Sequence, residues 1–131
     1  MAGFWLGPKA STRGYRLIGF DTVGSTSSEA LRAAQAGDVG DVWFAALRQT
    51  EGRGRRGRAW ETAHGNLAAS LLVVPDADPA VAATLGFVAG VALSRAVSEV
   101  LPGGLEKIGV DGADAANARI ALKWPNDVLA D

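Results

Sequence analysis

Gln49-Thr50-Glu51-Gly52-Arg53-Gly54-Arg55-Arg56-Gly57-Arg58-Ala59-Trp60 is the stretch on which the reading of this chain turns. Arg53, Arg55, Arg56 and Arg58 bring four guanidinium groups together on a glycine-hinged segment. Each is a planar, permanently charged fork that matches phosphate or carboxylate oxygens. A folded domain rarely gathers like charges so closely unless an anion arrives to offset their repulsion. The patch is local, because 13 Lys and Arg against 14 Asp and Glu leave a formal net charge of −1. Bulk attraction to nucleic acid is therefore not supported.

Outward from that stretch, the pattern alternates strands and helices. Tyr15 to Phe20 reads as a strand, Asp21 to Ser25 as a turn, and Ser25, Thr26 or Ser27 as the cap of a helix over Ser28 to Ala36 that stops at Gly37. Val42 to Leu47 is a buried strand, Arg48 to Gly65 a long loop without apolar period, and Asn66 to Val74 another strand closed by Pro75. Asp78-Pro79 opens a helix whose apolar positions Val81, Leu85, Val88, Ala92, Leu93 and Val100 carry it to Leu101, with Gly86 and Gly90 allowing close approach to a sheet. Pro102 to Ala118 reads as an exposed connector, Ile120 to Lys123 as a short strand, and Trp124-Pro125-Asn126-Asp127 as a turn. This order gives an α+β (α/β) fold, a mixed sheet with helices on one face.

Composition removes several function classes. At 131 residues and 48% hydrophobic, the chain has the size and core of about one domain. It has no cysteine, hence neither a disulfide framework nor a thiolate zinc site, which suits a reducing, cytoplasmic setting. His64 is the single histidine, so a Ser-His-Asp hydrolase is disfavoured, and His64 is given no role. The apolar run Ala80 to Leu93 falls short of the roughly 20 residues that a membrane span needs, and Met1 to Ser11 lacks the apolar region of a signal peptide.

Three familiar loops compete for the arginine stretch. Gly52, Gly54 and Gly57 match G-x-G-x-x-G, but no amphipathic helix follows to aim its dipole at a pyrophosphate. Gly52 and Gly57 have P-loop spacing, yet Arg58-Ala59 stands where Lys-Ser/Thr should meet phosphates and Mg²⁺. Disordered Arg-Gly segments bind RNA, but here one copy lies between two strands. As an isolated charge run it would read as a solvated loop.

A second motif changes that weighing. Lys123-Trp124-Pro125-Asn126-Asp127 places a cation, an aromatic ring, a rigid turn, an amide and a carboxylate in five positions. Together, Gln49-x-x-Gly52-Arg-Gly-Arg-Arg-Gly-Arg-x-Trp60, Gly65-Asn66-Leu67 with Ser70, and Lys123 to Asp127 resemble the biotin protein ligases in order and spacing. Asp21-Thr22-Val23-Gly24-Ser25-Thr26 is similar to that family's serine-threonine biotin segment, with Ser27 where many relatives carry Asn. The resemblance runs from near Tyr15 to the last residue. It implies a biotin/lipoate ligase catalytic domain, similar to class II aminoacyl-tRNA synthetases, with residues 1–14 a leader and 15–131 its N-terminal part. The family's Lys-x-x-Gly strand and C-terminal domain are expected to lie beyond Asp131, and a DNA-binding helix-turn-helix is not expected.

Residue roles follow from the resemblance. Ser25, Thr26, Ser27, Gln49, Arg53, Gly54 and Arg55 would bind biotin. Arg56, Arg58, Trp60 and Asn126 would bind the nucleotide, with Trp60 either stacking on a ligand or serving as an ordinary core anchor. Arg55, Lys123 and Asp127 would be catalytic, and Asp127 would also meet Mg²⁺. Ser25 and Thr26 have a second reading as helix caps, and Trp124 one as packing. The implied reaction joins biotin and ATP to biotinyl-5′-adenylate, then passes biotin to a lysine of a biotin carboxyl carrier protein such as acetyl-CoA carboxylase. ATP, Mg²⁺ and the carrier are the expected companions, with no membrane, and homodimerisation is left open. The alternatives are a lipoate-type adenylating ligase and an inactive or binding-only fragment.

Overall fold

The computed structural model describes residues 3–63, 65–100, 108–110, 120–123 and 127–130. The chain divides into two compact units, Met1–Pro75 and Asp76–Asp131.

In the first unit a short helix α1, Pro8–Thr12, lies in the segment read as a leader. Strand β1, Arg16–Val23, crosses through helix α2, Thr26–Gln35, to the parallel strand β2, Val42–Gln49, and β3, Ala68–Leu72, returns antiparallel to β2. β1 continues through the expected turn because its pairing persists to Thr22↔Arg48 and Val23↔Gln49. The α2 cap is Ser25, whose extended backbone and Oγ, accepting from the Ser28 N–H at 3.4 Å, turn the chain into the helix. Glu29 in the first turn pairs with Arg32 at 2.7 Å. The left-handed Gly37 (φ 90°) follows the helix end as the sequence predicts.

α2 lies on β2 and β3. Ala30, Val42 and Phe44 form the core, with Phe20, Ala33 and Leu72 packed around them. Burying the Val42 and Phe44 side chains contributes about 1.5–3 kcal/mol each. The core members of β2 lie in its N-terminal half, and the C-terminal ends of the two parallel strands are the usual position for a ligand site in such a sheet.

The second unit contains α3, Pro79–Ala82, α4, Leu85–Val100, and a sheet of β4, Ile108–Val110, β5, Ile120–Lys123, and β6, Asp127–Ala130. β4 and β5 are parallel, and β5 and β6 antiparallel. The mixed-sheet expectation holds in both units, whereas the single helix to Leu101 does not. Its described part breaks at Ala83–Thr84, where Thr84 Oγ–H donates to the Val81 carbonyl at 2.6 Å, and Leu101 lies outside the described residues. Pro79–Val100 is in fact 22 residues and, by length and composition, apolar enough to cross a membrane, so the shorter Ala80 to Leu93 estimate is corrected.

Of the apolar positions that gave the helical spacing, Val81 of α3 and Leu85, Val88, Leu93 and Val100 of α4 are exposed, while Ser94 and Ser98 of α4 are buried. Their hydroxyls donate to the carbonyls one turn earlier, at 2.8 Å to Gly90 and 2.9 Å to Ser94, so burial strands no donor. Among the described residues a Cβ on Gly90 would lie 3.8 Å from the Leu122 side chain of β5 and one on Gly86 would meet nothing, so close approach to the sheet holds at Gly90 and not at Gly86. Part of the expected connector, Ile108–Val110, is a strand, and the rest lies outside the described residues.

Candidate functional site

Two features meet at the C-terminal ends of β1 and β2. The first is a chain of hydroxyls. The Thr26 backbone N–H donates to Gln49 Oε1 at 2.8 Å, and Thr26 Oγ–H donates to the same oxygen at 3.0 Å. A backbone N–H can only donate, so the amide orientation of Gln49 is fixed, with its Nε2 on the side of Gly52. Ser70 Oγ lies 2.9 Å from Thr26 Oγ1 and 3.1 Å from Ser27 Oγ. Thr26 has already used its one proton on Gln49, so Ser70 donates to Thr26 and Ser27 donates to Ser70.

The resulting relay, Ser27 to Ser70 to Thr26 to Gln49, leaves lone pairs on the hydroxyls and the two donors of the Gln49 amide nitrogen. Such a set can bind a small neutral ring bearing N–H donors and a carbonyl. Thr26 and Ser25 are buried. Ser25 Oγ serves as the α2 cap, so its second reading, the structural one, is realised. Ser70 enters this cluster without having been given a role from the sequence, although β3 alternation could have suggested it.

The second feature is a closed hairpin. Trp60 N–H donates to Gly52 O at 2.9 Å, Gly54 N–H to Arg58 O at 2.7 Å, and Arg53 bridges Ala59 antiparallel. A 3-10 turn, Arg55–Gly57, forms its tip. Arg56 and Gly57 are both left-handed there (φ 59° and 71°), free of cost for glycine and strained for arginine. At the base, a Cβ on Gly52 would lie 2.6 Å from the Trp60 carbonyl oxygen and 3.3 Å from Gln49 Nε2. The close approach thus requires glycine and joins the hairpin to the hydroxyl relay. The segment is ordered as a hairpin rather than an open loop.

Arg53, Arg56 and Arg58 are exposed, and among the described residues none forms an ion pair. Gly54 is half-buried, with the Trp60 ring 3.5 Å from the position of a would-be Cβ. Trp60 is 63% exposed, so the core-anchor reading fails and a ring face is available at the hairpin.

The remaining expected site residues belong to the second unit. Lys123 and Asp127 face each other in the β5–β6 register, and Lys123 Nζ lies 3.8 Å from Asp127 Oδ2, both side chains half-exposed or more. Asn126, with Trp124, Pro125 and His64, lies outside the described residues. Among the described residues no group of three or more His, Cys, Asp or Glu could hold a metal.

The model of the biotin/lipoate A/B protein ligase family matches residues 25–131. The chain belongs to this family. It is 44% identical over 105 residues to the biotin--[acetyl-CoA-carboxylase] ligase of Paracoccus denitrificans, covering 80% of this chain and 38% of that protein. It is 31% identical over 124 residues to the bifunctional ligase/repressor BirA of Bacillus subtilis, covering 94% of this chain and 34% of that protein. Among solved structures it resembles the biotin protein ligase of Leishmania major in complex with biotinyl-5-AMP, with TM-score 0.65 and 34% identity, over 88% of this chain and 47% of that one. The chain therefore spans little more than a third of the length of the curated relatives it matches.

Proposed function

We propose that this chain carries the biotin- and ATP-binding part of a biotin protein ligase, which activates biotin as biotinyl-5′-AMP and transfers it to a lysine of a biotin carboxyl carrier domain. The observation that carries the proposal is the junction at Gln49 and Gly52, where the neutral hydroxyl relay adjoins a hairpin bearing uncompensated arginines. An adenylate of biotin needs both surfaces, one for a ureido ring and one for anionic oxygens. The complex of the Leishmania major relative with biotinyl-5-AMP supports the same pairing.

In the first step a biotin carboxylate oxygen attacks the α-phosphorus of ATP, and the bond to pyrophosphate breaks. Arg53, Arg55, Arg56 and Arg58 offset the anionic repulsion and the charge that builds on the leaving group. In the second step a carrier lysine attacks the acyl carbon, AMP leaves, and the lysine nitrogen loses a proton. Ser25, Thr26, Ser27, Gln49, Arg53, Gly54 and Arg55 are assigned to biotin, and Arg56, Arg58, Trp60 and Asn126 to the nucleotide. Arg55, Lys123 and Asp127 are assigned to catalysis.

Asp127, a half-exposed carboxylate, would be the residue to hold Mg²⁺. When bound, that ion supplies charge neutralisation on the phosphates. A cytoplasmic location agrees with the lack of cysteine. A lipoate substrate is less well served, because its ring has no ureido group to use the relay.

The test is mass-spectrometric detection of biotinyl adenylate after mixing the chain with biotin, ATP and Mg²⁺, beside Arg55→Ala. Adenylate that disappears in the variant is the expected result. Biotin binding without adenylate would reduce the chain to a binding-only fragment, and no binding at all would overturn the reading.

A further inference from the structure

Among the described residues, buried side-chain nitrogen and oxygen atoms are hydrogen-bonded with one exception. Thr62 Oγ1 is buried and has no hydrogen-bond partner, the one such side-chain atom among the described residues. A buried hydroxyl without a partner forfeits what water gave it, so native proteins rarely keep one without a use.

Thr62 stands two residues after Trp60, whose N–H closes the hairpin on Gly52 O, in the segment that leads to β3 and Ser70. It flanks the hairpin on the C-terminal side as Gln49 does on the N-terminal side. The carbonyls of Gly52 and Arg58 accept from the Trp60 and Gly54 N–H groups, and neither accepts from Thr62 Oγ1. Arginine side chains carry donors only, so they could give a proton to Thr62 but never accept its own. The partner that suits the idle O–H is an acceptor brought from outside, and an anionic oxygen is the acceptor that the arginines would attract.

We infer that Thr62 is a further ligand-binding residue, whose Oγ–H donates to an anionic oxygen, carboxylate or phosphoryl, of the ligand held at the arginine hairpin. The inference rests on the site proposed above. The hydrogen bond forms only in the bound state, so the hydroxyl contributes to affinity and not to the stability of the free protein.

Thr62→Val keeps the side-chain shape and removes the hydroxyl, and Thr62→Ser restores it. Calorimetric titrations of the 131-residue chain with biotin, with AMP and with neutral biotinamide are compared, beside thermal melts without ligand. The free Thr62→Val protein should melt within about 1 °C of the parent or above it. Its affinity for biotin or for AMP should fall about 10-fold, a hydrogen bond to a charged acceptor, with biotinamide unchanged and Thr62→Ser near the parent. Loss for biotin alone assigns the carboxylate, and loss for AMP alone the phosphoryl group. A ligand-free melt lowered by about 4 °C or more, or unchanged affinity for both ligands, overturns the inference, because the hydroxyl would then be bonded in the free protein or idle in both states. Absence of binding by the parent chain would sink the proposed function and this inference with it, whereas parent binding that Thr62→Val leaves intact would sink Thr62 alone.

Discussion

The hydroxyl relay and the arginine hairpin sit side by side and prepare for a ligand in opposite ways. In the relay each proton of Ser27, Ser70 and Thr26 is committed, and the free lone pairs and the Gln49 amide are aimed before any ligand arrives. In the hairpin the backbone is closed but Arg53, Arg56 and Arg58 remain exposed and unpaired among the described residues. On the proposed assignment, neutral recognition is set by preorganisation, while charge is left for the ligand to complete. The contrast is useful because the two halves should fail differently.

The largest effect should come from the residue that couples them. In Gly52→Val the new Cβ would lie 2.6 Å from the Trp60 carbonyl oxygen, so the hairpin base must open. A strain of about 1–3 kcal/mol at that point should displace the arginines together, and adenylate formation should fall at least about 100-fold. Quenched-flow or single-turnover detection of the adenylate measures it. A variant of near-parent activity would show that hairpin closure is dispensable.

Thr26→Val tests the relay alone. It removes one donor from Gln49 Oε1 and the acceptor of Ser70, in a buried place. We expect a loss of about 1–3 kcal/mol in biotin affinity, with AMP affinity within about twofold. Equal weakening of both ligands would mean that the two regions are one cooperative unit. Salt tests the hairpin alone. Raising NaCl from low to molar concentration should weaken AMP binding several-fold, as screening shortens to about 3 Å, and should leave biotinamide binding nearly unchanged. Parallel salt slopes would dissolve the distinction.

The same contrast explains what could be read from the chain. β1, α2 and β2 were legible because Ser25, the helix-forming run and Gly37 agree locally with the packing of Val42 and Phe44. Hairpin closure was not, since it depends on backbone bonds between Gly52, Gly54, Arg58 and Trp60 that no side-chain pattern announces. α4 misled for a related reason. Its buried positions are Ser94 and Ser98, each hydroxyl satisfied inside the helix, one and two turns beyond the half-buried Gly90 that approaches β5, while the apolar periodicity points elsewhere. The family resemblance singles out Thr26 and Ser27, and the structure brings their hydroxyls together on Ser70. Ser70 gained its role only when β3 paired with β2, and Thr62 only when burial left its oxygen without a partner.

The smallest effect should appear at the opposite ends of β1 and β2, where neither region reaches. Arg16 donates to both carboxylate oxygens of Asp38, at 3.2 Å for the longer bond, and also to Gly40 O at 2.9 Å. The Arg16 hydrogen bond, followed by one from the Gly40 N–H, holds the Asp38 carboxyl below its usual range, and Asp38 raises the Arg16 guanidinium in return. A lowered carboxylate stabilises the fold fully above its ordinary pKa of about 3.9 and loses that contribution as pH falls through the depressed native value. The raised guanidinium keeps its contribution throughout that window. Both groups face solvent, so Asp38→Asn should lower the melting temperature by only about 1–2 °C at pH 7. The difference from the parent should close below about pH 4, and ligand affinities should stay unchanged. Melts across pH decide it: a gap that persisted in acid would assign the loss to the Gly40 hydrogen bond and not to charge, and altered biotin affinity would tie this end of the sheet to the site.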